Sequence, residues 1–152
     1  MPVQGPIARR SARAVLFDKN RHLVLIKRNN PGQPPYWTTP GGGIKDGDAS
    51  AANALERELV EELGAVASVG GRGLLISSET EQGLSVQEIF VARLMSIDET
   101  ARNGAEWTDS SRGGYEVVRV PIDQVYAIDL RPREVKEFVT RNALALLAEV
   151  LG

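Results

Sequence analysis

At 152 residues the chain has room for one domain burying about two thirds of its unfolded surface, and nothing calls for a second. A net charge of −2 and a pI near 5.5 exclude a blanket attraction to nucleic-acid polymers or anionic membranes, which leaves a small molecule as the expected partner. Cysteine is absent, so a disulfide framework, a thiolate nucleophile and a thiolate zinc site are excluded. The start has no apolar signal core and no run is apolar enough to span a bilayer, so the expectation is a cytoplasmic protein of one domain, 1–152.

Residues 1–10 read as a loosely ordered arm. Arg9, Arg10 and Arg13 form a basic group there, either solvated or within reach of a phosphorylated ligand. Ala14–Phe17 and Leu23–Ile26 are apolar runs joined by a polar turn, a pattern that predicts a β-hairpin, with His22 a surface residue where the hairpin turns back. Asn29–Pro35 is rich in breakers and delivers Tyr36 and Trp37 to the glycine turn that follows. Trp37 can either stack a flat ligand or cover the inner side of the first helix.

Pro40–Ala65 carries the most chemistry. Three glycines, Gly41, Gly42 and Gly43, precede an acidic turn ending at Asp48, and then comes Arg57-Glu58-Leu59-Val60-Glu61-Glu62-Leu63-Gly64. A helix over Ala49–Leu63 aligns Leu55, Leu59 and Leu63 on one stripe and gathers Glu58, Glu61 and Glu62 on another. Like charges at these spacings cost a bare helix about 0.2–0.5 kcal/mol per pair, unless a cation sits among them. Three hard oxygen donors suit Mg²⁺ or Mn²⁺. An acidic face alone is equally consistent with solvation, but here glycines nearby allow a carbonyl to approach an ion or phosphate closely. Ser50 is the candidate N-cap, and Gly64 is placed to end the helix in the left-handed region.

Leu74–Ser77 and Val86–Leu94 read as strands joined by a turn at Glu79–Gly83. Met95–Gly114 lacks a period and contains Glu106; loops of that length inside a domain are commonly functional. Glu116 lies in a closing strand that runs into Val120-Pro121-Ile122-Asp123. Pro132 opens a last helix whose apolar face comprises Val135, Phe138, Val139, Leu144, Leu146, Leu147 and Val150, expected to pack on the sheet. Strands alternating with helices predict an α/β layered domain.

The central stretch resembles the Nudix hydrolase box, G-x5-E-x7-R-E-U-x-E-E-x-G-U with U bulky and aliphatic. Arg57, Glu58, Leu59, Glu61, Glu62 and Gly64 fall on its second half in register, while the final U is Ala65. The first half departs from it. Counting from Gly42, Asp48 stands at the first glutamate position, and eight residues rather than seven separate it from Arg57, an insertion placed at Ala49-Ser50. Counting from Gly43 lands on Ala49, which has no carboxylate.

The resemblance implies an α/β/α sandwich with a mixed central sheet. It also implies metal-dependent hydrolysis, by water attack on phosphorus, of a nucleoside diphosphate linked to another moiety. Carried over residue by residue, it makes Glu58, Glu61 and Glu62 metal ligands with the Gly41 carbonyl; by their own chemistry Gly41, Gly42 and Gly43, through close backbone approach, and Trp37, through stacking, are the candidate substrate contacts. Arg57 would orient the glutamates, Asp48 would give an outer contact, and Glu116 would be a further ligand or the general base, with Glu106 next. A homodimer fits the same picture. Two other readings stand beside it, a non-catalytic nucleotide sensor of the same fold and a structural domain with a merely acidic helix.

Overall fold

In the computed structural model, which describes residues 6–98 and 114–151, the sheet is assembled about β1 (Ile7–Phe17). This strand is apolar toward both faces, with Ala12, Ala14 and Leu16 on one side and Val15 and Phe17 on the other, all inaccessible to solvent. A strand of that kind needs cover on both sides. The chain supplies it with α1 (Ala51–Leu63) on the first face and with α2 (Arg133–Arg141) and α3 (Ala143–Leu151) on the second.

The remaining strands are β2 (His22–Asn29), β3 (Tyr36–Thr38), β4 (Gly41–Gly43), β5 (Ala65–Thr80), β6 (Gly83–Ile97), β7 (Gly114–Pro121) and β8 (Leu130–Arg131). Their order is β5-β6-β1-β2-β3-β8, with β4 joined to β1 and β7 joined to β2. The β1/β6 and β3/β8 pairs are parallel and the others antiparallel, so the sheet is mixed and the fold is the expected α/β/α sandwich.

One feature of this topology places the site. β1 meets β2 at Phe17 and Leu23, but nearer its start it pairs with β4 instead, Ser11 with Gly43, Ala12 with Gly42 and Arg13 with Gly41. β2 meanwhile pairs with β3 and β7. The sheet therefore opens between β1 and β2, and Thr39-Pro40 crosses the opening, tied to β1 by the Ala14 N–H donating to the Pro40 carbonyl at 2.9 Å.

Several expectations are corrected. Residues 7–10 are strand rather than loose arm, paired to β6. The two strands expected after the helix grow to Ala65–Thr80 and Gly83–Ile97, a long hairpin. The helix begins at Ala51 rather than Ala49, because Ser50 is extended and its hydroxyl accepts the Asn53 N–H at 3.1 Å. Gly64 ends it at φ 64°, as expected.

The single last helix is two, broken at Asn142, whose side-chain amide donates to the Phe138 carbonyl at 2.8 Å and so competes with the helical ladder. The break leaves Leu146 and Leu147 buried but Leu144 84% exposed, off the apolar face assigned to it. Asp98 is the last described residue before Gly114, and the expected loop with Glu106 lies outside the described residues.

The Ser50 cap gives the first prediction. Ser50→Ala leaves the Asn53 N–H without its side-chain partner and lowers unfolding free energy by about 1 kcal/mol, a fall in melting temperature of roughly 2–4 °C. Thermal denaturation followed by circular dichroism checks this, and an unshifted midpoint contradicts the cap.

Candidate active site

Helical spacing brings Glu58, Glu61 and Glu62 to one side of α1, and Arg57 binds two of them to the glycine turn. Its guanidinium has five N–H donors in a fixed fork. Nε and Nη2 each donate at 2.9 Å to the two oxygens of Asp48, a bidentate pair. Nη2 also reaches the Gly43 carbonyl at 3.0 Å, and Nη1 reaches Glu58 at 2.9 Å and Glu61 at 3.3 Å. Every donor is engaged within the protein, so Arg57 positions carboxylates and has none left for a ligand.

Asp48 is thereby more than an outer contact. Its Oδ2 also accepts the Lys45 N–H at 2.7 Å, so one carboxylate joins the acidic turn to the helix. The Arg57 hydrogen bonds, then the backbone donor of Lys45, hold the Asp48 carboxyl down at about 2. Reciprocally, Asp48 pushes the Arg57 guanidinium above its ordinary range. A one-residue insertion at Ala49-Ser50 is accommodated because the extended Ser50 precedes the first helical turn and leaves the register of Arg57 with the glutamates intact.

The glycines are explained atom by atom. Gly41 stands at φ 140°, and a Cβ there would lie 2.2 Å from the Ala12 carbonyl oxygen. Its N–H donates at 3.0 Å to Oε1 of Glu62, which is 7% exposed. At Gly42 a Cβ would sit 2.4 Å from Oε2 of Glu58, so its absence gives the Glu58 carboxylate a bed on the backbone. Gly43 has space for a side chain and contributes its carbonyl.

As a donor set this fits a hard divalent ion. Three carboxylates (Asp48, Glu58, Glu61) share the Arg57 guanidinium, and Glu62 accepts from the Gly41 N–H within the field of Arg13, which leaves excess negative charge along this side of α1. Among the described residues no three acidic side chains stand at metal-holding separation.

Two assigned residues are not brought here. Trp37 packs with the core beneath α2 and α3, with Lys27 Nζ 5.7 Å from its ring, on the sheet face away from α1. Glu116 is on that face as well: Tyr115 and Val117 pack toward α1, so strand alternation turns Glu116 the other way, opposite Lys27 in the strand register, and its carboxylate accepts from Asn29 Nδ2 at 3.0 Å. Its assignment as ligand or base does not match this position. His22 stays in the hairpin turn beside Asp18, 3.6 Å away.

Arg13 and five residues not singled out beforehand, Arg28, Thr38, Thr39, Arg131 and Arg133, line the opening between β1 and β2, a cleft of about 440 Å³. Of the early basic group only Arg13 reaches it, donating to the Thr39 carbonyl at 3.1 Å. Burial pulls the Arg13 guanidinium below its ordinary value; Glu62 opposes that shift and Arg28 adds to it. Arg28 donates to Thr38 Oγ1 at 3.1 Å and to the Tyr115 hydroxyl at 2.8 Å. A usable signal existed in the polar Lys27-Arg28 ending of an otherwise apolar strand, just before the breaker-rich loop Asn29–Pro35.

A family model described as NUDIX domain matches residues 8–138. No curated protein matches the chain. Among solved structures, the chain is similar to a NUDIX hydrolase from Nitrosomonas europaea, 15% identical, TM-score 0.69, over 90% of this chain and 89% of that one. A MutT protein from Methanosarcina mazei Go1 gives 16%, TM-score 0.64, and 95% and 98% coverage. A C. elegans Ap4A hydrolase binary complex gives 16%, TM-score 0.63, and 93% and 99%.

The Asp48–Arg57 pair makes stability depend on acid pH. The folded pKa is below that of the unfolded carboxyl, so the contribution is full above about pH 4 and is lost as pH falls toward about 2. Asp48→Asn is therefore expected to be less stable than the wild type near neutrality, with the gap closing between those pH values in urea melts. A gap that stays constant down to the lower limit contradicts the pairing.

Proposed function

Because the chain belongs to the Nudix hydrolases, which act on nucleoside diphosphate derivatives, we propose that it is a divalent-metal-dependent pyrophosphohydrolase cleaving a nucleotide or nucleotide conjugate through its Glu58/Glu61/Glu62 cluster. The observation that carries this reading is the complete use of Arg57, since five hydrogen bonds spent on fixing carboxylates and a glycine carbonyl have a purpose if those carboxylates must be held together against their own repulsion. A sensor or a structural domain has no need of such an arrangement.

In the proposed mechanism Glu58, Glu61 and Glu62, with the Gly41 carbonyl, would hold Mg²⁺ or Mn²⁺, and the ion would supply charge neutralisation for the pyrophosphate and a lowered pKa for the attacking water. The chain's own residues do the rest. The space that side chains at Gly41 and Gly42 would take is filled by the Ala12 carbonyl and the Glu58 carboxylate, so these glycines let the strand and the carboxylate close up, and of the three glycines Gly43 has open space beside it. Arg57 engages one oxygen each of Glu58 and Glu61, leaving the second oxygen of each to accept the proton of the attacking water. Water oxygen bonds to phosphorus, the bridging P–O bond breaks, and the bridging oxygen departs with the leaving phosphate. No serine or cysteine nucleophile is required, in keeping with a chain that has no cysteine.

Glu62→Gln keeps an acceptor for the Gly41 N–H, so the fold is retained, but it removes a charge and substitutes a poor hard-ion ligand. Turnover of a nucleotide-conjugate panel with saturating Mg²⁺ is expected to fall about 10²-fold or more, roughly 2.7 kcal/mol of transition-state stabilisation. Unimpaired turnover in this variant contradicts the assignment.

A further inference from the structure

We infer that Arg13 is a second, internal counter-charge of the carboxylate cluster: acting on Glu62 through the opening in the sheet, it steadies the metal-free cluster and weakens the cluster's hold on a divalent ion. This rests on the reading of Glu58, Glu61 and Glu62 as a metal site and adds a residue, outside the box, that sets its affinity.

The charges of the cluster are not served alike. The Arg57 fork goes to Asp48, Glu58, Glu61 and the Gly43 carbonyl, and none of its bonds goes to Glu62. Yet Glu62 is 7% exposed, whereas the neighbouring Glu61 side chain is 36% exposed. A buried carboxylate keeps its charge only where hydrogen bonds and a counter-charge offset the lost water. The Gly41 N–H gives Glu62 a hydrogen bond at 3.0 Å but no unit of charge.

Arg13 brings that charge from the other side of the same backbone. It stands opposite Gly41 in the β1/β4 register, and strand alternation turns its side chain away from α1, because Ala12 and Ala14 pack toward that helix. From there Nη1 donates at 3.1 Å to the carbonyl of Thr39, two residues before the N–H that Glu62 accepts. Two residues span at most about 7 Å, so a guanidinium and a carboxylate grip one short segment from its opposite sides. Burial is the largest influence on the Arg13 guanidinium and lowers its pKa; Glu62 comes next and raises it, Arg28 and Arg9 lower it, and Glu58 raises it.

A prop for Thr39 alone does not account for the residue. One carbonyl can be served by a neutral donor, whereas a guanidinium taken partly out of water needs a negative field to offset its desolvation. The cluster is that field. Its effect on the two states of the site is opposite in sign. The positive charge of Arg13 favours the carboxylates while they stand without an ion and disfavours a further cation placed among them, and the two effects are one coupling free energy.

The test is a metal titration of the full chain. Arg13→Gln keeps a donor for the Thr39 carbonyl and removes the charge. Its Mn²⁺ uptake, followed by electron paramagnetic resonance, is expected to be about tenfold tighter than that of the wild type. Tb³⁺ uptake, followed by luminescence, is expected to be about thirtyfold tighter, because the Coulomb energy scales with the charge of the ion. Arg13→Lys keeps the charge and is expected to stay near the wild type for both ions. Should Arg13→Gln not fold, Arg13→Met, which fills a similar volume without charge, carries the same expectation. In melts at one Mn²⁺ concentration, the metal-induced rise in Tm is expected to be larger for the uncharged variant. Equal affinities in the wild type and the folded uncharged variant overturn the inference, as do weaker binding in that variant or equal gains for the two ions. Uptake of neither ion by the wild type overturns the metal-site reading itself, so the two failures are distinguishable.

Discussion

Three glutamates on one helix face repel one another, and the Arg57 fork is the interaction that lets them stay there. It spends two bonds on Asp48, one on the Gly43 carbonyl and one on each of two glutamates, so helix, acidic turn and glycine strand are tied at a single group. Much else follows from that tie. The helix must be capped where Asp48 can still reach it, which Ser50 does, and the glycine strand must have no side chain where Glu58 lies, which Gly42 provides.

The second constraint is the opening in the sheet. β1 exchanges β2 for β4 halfway along its length, and the segment that crosses the gap ends at Gly41. On one side of this residue stands an excess of carboxylates and on the other an excess of guanidiniums, with Arg13 and Glu62 acting on one another across it. Opposite fields at that range favour a ligand whose charges are distributed in the same way, anionic throughout but with part of its charge neutralised by divalent cations.

Much of this was legible in the residues. The helix, its caps and the hairpin each have a local cause, namely the 3.6-residue spacing of leucines, a serine and a glycine at the right offsets, and a polar turn between apolar runs. The box-like spacing then pointed to the carboxylates that Arg57 and Gly41 contact. What escaped was orientation within strands covered on both faces. In β7, Val117 faces one core and Val118 the other, so apolarity does not reveal which way Glu116 points; only pairing with β2 decides it. Trp37 was misplaced for the same reason, because neighbouring residues of β3 face opposite sides. Arg28 and Thr39 escaped because the cleft exists only where two strands part, a tertiary event without a local signature.

The central claim is that Glu58, Glu61 and Glu62 together form a divalent-ion site held open by Arg57. It is tested most directly by Mn²⁺ titration followed by electron paramagnetic resonance, comparing the wild type with the triple variant Glu58→Gln, Glu61→Gln, Glu62→Gln. The account predicts that the wild type takes up Mn²⁺ and that the triple variant, folded by circular dichroism, does not. Equal uptake by the two proteins would contradict it.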